Sequence, residues 1–342
     1  MTRVAPRKEV SSDPPVHIVQ DAAPYNSIHL QARLWEQAWR GGPPSGSRVH
    51  GTGWVPSRAD LVLYHYGSFA LSAFRYAVRP RTIFVFHNVT PARLLLPWSP
   101  LVALRAAAAD LQLRLLPRRL PWIGVSPYNC GVLAGYGFQR IEHVPVVVEP
   151  RAPQPKSEAP VLLFVGRISP NKNVIRLLRM HRELSQALSP RPRLIIVGQR
   201  KPRCPYGQAF EKELERMAGQ CDVVWLREPV RYRYLLDLHG KAWLYVSMSL
   251  HEGCGVPVCE SVACHTPAIY LQCGGTESVL AGHGMVPLCE HRNFSSYVLE
   301  ALASEQLRQE LLVRQQLCIE PLQPAAVRER LLSAVSALAT DS

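Results

Sequence analysis

The sequence predicts an α/β protein of two doubly wound domains facing a central cleft, and three observations carry that prediction. Short apolar runs alternate with helix-period segments along the 342-residue chain, the pattern of βαβ units and parallel sheets. A chain of this length exceeds what one core usually serves, so two domains of about 150 residues each are expected. The stretch VEPRAPQPKSEAP at 148–160 is polar and proline-rich and interrupts the alternation, as a linker does. The expected division is a disordered lead-in at 1–15, a first domain at 16–150, a linker at 151–159, and a second domain with terminal helices at 160–342.

Taken in order, the first half offers apolar runs at 16–19, 61–64, 82–86, 122–125 and 143–148, each read as a strand. Between them the segments 27–40, 101–116 and 127–136 carry a helical period. After the linker the alternation restarts with a strand at 161–165, a helix at 173–188, a strand at 194–197 and a helix near 208–218. A strand at 223–226, a helix at 232–238 and a strand at 243–246 follow. Next come a helix through Ala263, a strand at 268–271, a short helix opening near Thr276, and two or three closing helices, one of them at 325–338. In such sheets ligands bind at the carboxyl ends of the strands.

Composition narrows the function. The net charge of +13 points to acidic partners such as nucleic acid, anionic lipid or phosphate-bearing substrates. Arginine supplies most of that charge, and it is spread over both halves with no block of like charges, which argues against a basic arm and against nucleic acid as partner. Nine scattered cysteines do not suggest a disulfide framework and fit a reducing compartment. Cys254, Cys259 and Cys264 recur at five-residue steps before His265. On a helix each step turns by about 140°, which points the thiols apart, so no metal site is expected. The first fifteen residues lack an apolar core, so they do not read as a signal peptide, and no apolar stretch reaches the eighteen residues of a spanning helix.

Chemistry concentrates in two motifs of the second half. The first is HEGCGVPVCESVACHTPAI at 251–269. There Gly253 and Gly255 allow close backbone approach, and Pro257 is preset for a first helical turn. Glu252 then lies in the loop and Glu260 about one turn inside the helix, where both carboxylates and the helix's free N–H groups can face one ligand. The second motif is VGRISPNKN, a strand-to-helix turn that opens at Gly166 and carries Arg167 and Lys172. A diphosphate would meet there a bidentate guanidinium, a point-charge ammonium and a helix N-terminus.

Together with LIIVG at 194–198 and GGTES after the glutamate motif, these segments resemble the nucleotide-sugar domain of the family-four retaining glycosyltransferases. Members of that family have the GT-B fold, two Rossmann-like domains facing a cleft. The resemblance covers about residues 160–290. It implies that Arg167 and Lys172 bind the donor diphosphate and stabilise the leaving group. It also implies that Glu252 lies beside the donor sugar, that Glu260 accepts from the ribose hydroxyls, and that the backbones of Gly166, Gly253 and Gly255 face the ligand. Glu277 matches a downstream glutamate of the family. In the first half, the turn His87-Asn88-Val89-Thr90-Pro91 is similar to one in bacterial members, whose histidine contacts the donor sugar. Ser126, after the strand at 122–125, stands at another carboxyl end.

The implied partners are a nucleotide-sugar donor and a saccharide or lipid-linked saccharide acceptor, in bacterial polysaccharide or glycolipid synthesis, with no metal or other cofactor. The leucine- and arginine-rich segment 91–122 has two readings. It rests on an anionic membrane surface, which makes the protein peripheral on the inner face of the plasma membrane, or it packs the first sheet of a simply cytoplasmic protein. Three departures from the family stand out. QDAAPYNS at 20–27 replaces a glycine-rich loop, and His265 and Asn173 each replace a glycine. They keep open a catalytically silent homologue acting as an interaction scaffold, and the net charge keeps open a nucleic-acid-binding protein.

Overall fold

The computed structural model describes residues 14–20, 27–41 and 47–339. Most of the lead-in and of the loop at 20–27 lies outside the described residues. The chain begins β1 (Val16–Val19), α1 (Ser27–Arg40), β2 (Val49–Gly51), β3 (Val62–Tyr66), α2 (Ser72–Ala77) and β4 (Thr82–Phe86). It continues α3 (Ala92–Leu95), α4 (Pro100–Leu115), β5 (Pro121–Gly124), α5 (Pro127–Gly135) and β6 (Arg140–His143). Then come β7 (Val161–Val165), α6 (Val174–Ala187), β8 (Arg193–Val197), α7 (Pro205–Arg216), β9 (Asp222–Leu226) and α8 (Tyr232–Lys241). The remainder is β10 (Leu244–Ser247), α9 (Val256–Ala263), β11 (Ala268–Leu271), α10 (Gly275–Val279), β12 (Met285–Val286), α11 (Phe294–Ala303), α12 (Glu305–Ile319) and α13 (Pro324–Ala339).

These elements form two compact units that are not contiguous in sequence, so the division at 151–159 needs correction. The first unit holds Met1–Asn88, Ala109–Val147 and Pro324–Ser342; the second holds Val89–Ala108 and Val148–Gln323. The terminal helix α13 joins the first unit because its apolar stripe, Val327, Leu331, Ala334, Val335 and Leu338, is buried there, in part against α1. Two hydrogen bonds fix it, from Arg328 Nε to the Trp39 carbonyl at 3.2 Å and from Arg140 Nη2 to the Leu338 carbonyl at 2.6 Å.

The first unit is a six-stranded parallel sheet in the order β2-β1-β3-β4-β5-β6. Its central strands are buried throughout, as continuous apolar runs covered on both faces should be. Trp122 of β5 anchors the core against Phe84 and Phe138, with ring centres 4.8 and 4.9 Å away. The strand expected at 143–148 is displaced: pairing with β5 runs from Arg140 to His143 and then stops. Pro145 has no N–H to give a ladder, and side chains of α1 take over the backbone beyond it. Trp35 Nε1 donates to the Pro145 carbonyl at 3.1 Å, while Gln31 accepts from the Val147 N–H at 2.8 Å and donates to its carbonyl at 3.1 Å.

The second unit is also a six-stranded parallel sheet, ordered β12-β11-β10-β7-β8-β9. Counted from its own first strand β7, this is the dinucleotide-fold order, in which the chain reverses between β7 and β10. Leu162, Phe164, Leu177, Leu178, Leu194, Ile196, Leu244 and Val246 form its core with Phe210 and Phe294. The expected linker is strapped to this unit. Lys156 Nζ donates to the carbonyls of Gly240 and His265 at 3.0 and 2.8 Å and to Thr266 Oγ1 at 2.5 Å. Trp243 Nε1 donates to the Ser157 carbonyl at 2.8 Å. Burial pushes the Lys156 ammonium down to about 8, and the three acceptors give each of its protons a partner.

Candidate functional site

The second sheet reverses between β7 and β10, the point where sheets of this kind bind ligands beyond the carboxyl ends of the strands, and both sequence motifs follow those strands. After β7 the chain passes Gly166 and Arg167 into a 3-10 turn, Pro170–Lys172. After β10 it passes Ser247 and Ser249 to Glu252. The two loops meet in one ion pair, Lys172 Nζ to Glu252 Oε1 at 2.5 Å, with both side chains 15% exposed. An ammonium carries three donors, so Lys172 keeps donors for a further anion. Arg167 is exposed and makes no ion pair among the described residues. Asn173 takes φ 53° where the helix α6 begins, a left-handed conformation that asparagine tolerates better than most residues.

Glu252 is held by its own backbone. Its N–H donates to the Cys273 carbonyl at 2.9 Å, and the Gly275 N–H donates to the Glu252 carbonyl at 2.9 Å. This stitch brings the two glycine segments against each other. Gly255 has φ +78°, and a Cβ there would lie 2.3 Å from Thr276 Oγ1; a Cβ on Gly275 would lie 2.2 Å from the Gly253 carbonyl carbon. Their glycine character thus has a packing reason in addition to the ligand-facing backbone that the resemblance implies. Gly253 and Gly255 sit where one loop packs on the other, and that packing positions Glu252. Glu277 has a comparable local task, since its carboxylate accepts from the N–H groups of Gly274 at 2.6 Å and Cys273 at 3.1 Å.

Glu260 lies one turn into α9, as its spacing implies, and is buried. The Tyr232 hydroxyl donates to its Oε1 at 3.0 Å. Burial raises the Glu260 carboxyl to about 7 although the tyrosine bond acts the other way. His239 Nε2 comes within 4.0 Å of Oε2, but burial pushes that imidazole to about 3, so it is neutral and the approach is no salt bridge. A ribose diol would thus take up a carboxylate that Tyr232 already engages. Tyr232 was not singled out from the sequence; the only signal for it was its place where the loop after β9 enters α8.

His265 is accommodated without crowding. It has φ 61°, which explains why a glycine suits this position. Gln316 Nε2 stands 3.0 Å from its Nδ1, and its Nε2 stands 2.9 Å from the Arg151 carbonyl, so one neutral tautomer, protonated at Nε2, satisfies both contacts. That departure no longer argues for a silent scaffold. Cys254, Cys259 and Cys264 are buried, and the Cys259 thiol is held well above its usual range by the hydrogen bond with Cys254 and by burial. Among the described residues no group of three His, Cys, Asp or Glu side chains is placed to hold a metal ion.

In the first unit His87 follows β4 and ends a chain of imidazoles. His87 Nε2 meets His65 Nδ1 at 2.7 Å, and His65 Nε2 meets His17 Nδ1 at 3.0 Å. Burial drives His17 and His87 to about 3 and His65 well below its usual value, so all three are neutral. Each neutral ring has one donor and one acceptor, so the chain runs in a single direction. The end nitrogens of His87 and His17 therefore take opposite roles, one donating where the other accepts, and His17 Nε2 has no hydrogen-bond partner among the described residues. His17 and His65 were not read from the sequence because β1, β3 and β4 bring them together only in the sheet. Ser126 caps α5 by accepting from the Asn129 N–H at 3.1 Å, a structural task.

Residues 148–312 match the family model for glycosyl transferases group 1. A D-inositol 3-phosphate glycosyltransferase 2 of Catenulispora acidiphila is 35% identical over 127 residues, 36% of this chain and 30% of that protein. A D-inositol 3-phosphate glycosyltransferase of Geodermatophilus obscurus is 31% identical over 163 residues, 45% of this chain and 35% of that one. The chain thus matches about a third of the length of these curated relatives. An α,α-trehalose 6-phosphate synthase of Burkholderia multivorans superposes with a TM-score of 0.66 at 13% identity, covering 92% of this chain and 78% of that one. A sucrose-phosphate synthase of Thermosynechococcus elongatus gives a TM-score of 0.65 at 17% identity, covering 79% and 71%. By sequence, residues 148–312 are thus similar to the group 1 glycosyl transferases over just under half of the chain, and the backbone has the GT-B fold.

Proposed function

We propose that this protein is a retaining hexosyltransferase. It moves a sugar from a nucleotide-sugar donor to a saccharide or lipid-linked saccharide acceptor, without a metal, in bacterial polysaccharide or glycolipid synthesis. The observation that carries this reading is the Lys172–Glu252 ion pair at the reversal point of the second sheet, in a loop whose Arg167 makes no ion pair among the described residues. Departure of a nucleoside diphosphate develops negative charge on its β-phosphate, and cations placed there stabilise that charge more than they stabilise the intact donor. Glu252 holds the Lys172 ammonium in place for that task, and Glu260 takes the ribose. Glu252 and Glu260 need not act as the carboxylate pair of a double displacement, whose two carboxyls flank the scissile bond at about 5–5.5 Å. The relatives' names, D-inositol 3-phosphate glycosyltransferase and alpha-maltose-1-phosphate synthase, favour sugar transfer.

The lipid-linked version of the acceptor draws on α4. Its inward face, Ala103, Ala109, Gln112 and Leu113, is buried, while Leu101, Leu104, Leu111 and Leu115 are each more than half exposed and alternate with Arg105 and Arg114. A helix with leucines and arginines outward suits an anionic bilayer surface, and the protein is then peripheral on the cytoplasmic face. No helix among the described residues is long and apolar enough to cross a membrane.

Donor turnover tests the transferase reading. Incubated with UDP-, GDP-, ADP- and dTDP-sugars in EDTA, the wild type should release nucleoside diphosphate from one class. Arg167→Ala should slow that release by about 10²- to 10³-fold, the loss typical of removing one transition-state donor. Release from no donor, or equal release by the variant, would sink the reading.

A further inference from the structure

A second concentration of positive charge lies in the second unit, adjoining the loop of Arg167 and Lys172, whose Pro170 and Asn173 line it. A cavity of about 500 Å³ opens between the segment that carries α3 and the outer faces of α6 and α7. Five cations line it: Arg93, Arg176, Arg179, Lys212 and Arg216. The cavity has one carboxylate, Glu213, which is buried and already bonded to two of them, Arg179 Nε at 3.2 Å and Arg216 Nη1 at 3.1 Å. Arg93, Arg176 and Lys212 have no carboxylate partner among the described residues. On a chain of net charge +13 scattered surface arginines are ordinary. Five cations turned into one concavity repel each other, and an anion would relieve that repulsion.

The floor of the cavity is apolar. Trp98 stands edge-on to Tyr206, their rings 4.8 Å apart, with Leu94, Ile175 and Leu250 around them. Beside it, Leu96 of the same segment and Leu101 and Leu104 of the first turns of α4 are exposed. The volume lies in the range of small-molecule sites and exceeds what a bare phosphate fills.

We propose that this cavity is an anion site that seats a phosphate group carried on an apolar body, distinct from the site of the nucleotide's diphosphate. Arg93, Arg176 and Lys212 take the phosphate, and Trp98 and its neighbours take the body, whose far end passes over Leu96, Leu101 and Leu104. The cavity alone carries the anion site, and its separateness from the nucleotide rests on the transferase reading. The same phosphate chemistry can come from a lipid headgroup or from a soluble phosphate ester, and the probes below tell these apart.

The test is calorimetric titration of the full chain with glycerol 3-phosphate, with monomeric dihexanoyl phosphatidic acid and with uncharged dihexanoylglycerol. The site requires that at least one phosphate-bearing probe bind and that dihexanoylglycerol bind at least tenfold more weakly. Phosphatidic acid binding tenfold or more above glycerol 3-phosphate assigns the site to a lipid, and equal binding assigns it to a soluble ester and overturns the apolar half of the proposal. Arg176→Ala should weaken binding about tenfold or more, as loss of a charge-assisted hydrogen bond does. Lys212→Ala, an exposed position that folding tolerates, should weaken it in the same direction. Arg167→Ala should leave it unchanged, and saturating nucleoside diphosphate should not compete. Equal binding of the uncharged probe, indifference to both the Arg176 and Lys212 variants, or competition by nucleotide would overturn the proposal.

Discussion

At Glu260 two forces oppose each other: burial raises the carboxyl and the Tyr232 hydroxyl lowers it, leaving the group at about 7. Its folded value lies above the ordinary carboxylate value, so the native state binds more protons than the unfolded chain in between. The sign follows: this group adds no penalty below about pH 4.5, and its penalty grows as pH rises to about 7. The full penalty is about 3 kcal/mol by the free energy of one pKa unit. Urea unfolding of the wild type and of Glu260→Gln from pH 5 to 8 should therefore converge at the acid end and separate with rising pH, the variant gaining. Parallel profiles would show that Glu260 is not the buried titrating group. The placement of Arg167, Lys172 and Glu252 in loops and of Glu260 one turn into α9 was legible because each motif is local, a loop and the helix that follows it. Tyr232 and the imidazole chain were not, because their contacts span 28 and up to 48 residues of sequence.

Among the elements, the seam between the loop before α9 and the turn before α10 does the positioning. Gly255→Ala would place a methyl group 2.3 Å from Thr276 Oγ1 at a backbone φ of +78°. Left-handed strain in a non-glycine residue and a core overlap each cost about 1–3 kcal/mol. The variant should lower the urea midpoint accordingly and weaken nucleotide binding by displacing Glu252. An unchanged midpoint would mean the seam is looser than drawn. Most helices were legible to within a few residues from their apolar period. The strand at 143–148 was misplaced because a run of valines reads as β by composition, whereas sheet pairing depends on Pro145 and on what α1 offers the backbone. The three-residue β2 and two-residue β12 are too short to leave a pattern.

For the whole molecule, the fold class was legible because parallel strands covered on both faces read as unbroken apolar runs. Which segments join which unit was not. That is decided by long-range packing, as when α13 is buried in the first unit and residues 89–108 in the second. Membrane affinity belongs to this scale too. Co-sedimentation with anionic phosphatidylglycerol vesicles should retain the wild type at low salt. Leu101→Glu with Leu104→Glu should release it, and high salt should weaken it; wild type left in the supernatant would remove the membrane surface from the account.

The central claim is that the reversal point of the second sheet binds a nucleoside diphosphate through Arg167 and Lys172. Thermal unfolding with UDP, GDP, ADP and dTDP, each with and without EDTA, on wild type and Arg167→Ala, tests it most directly. The prediction is that one nucleotide stabilises the wild type by about 2.7 kcal/mol at a hundred times its dissociation constant. EDTA should make no difference, and the variant should lose most of the gain. Stabilisation by none of the four, or equal stabilisation of the variant, would contradict it.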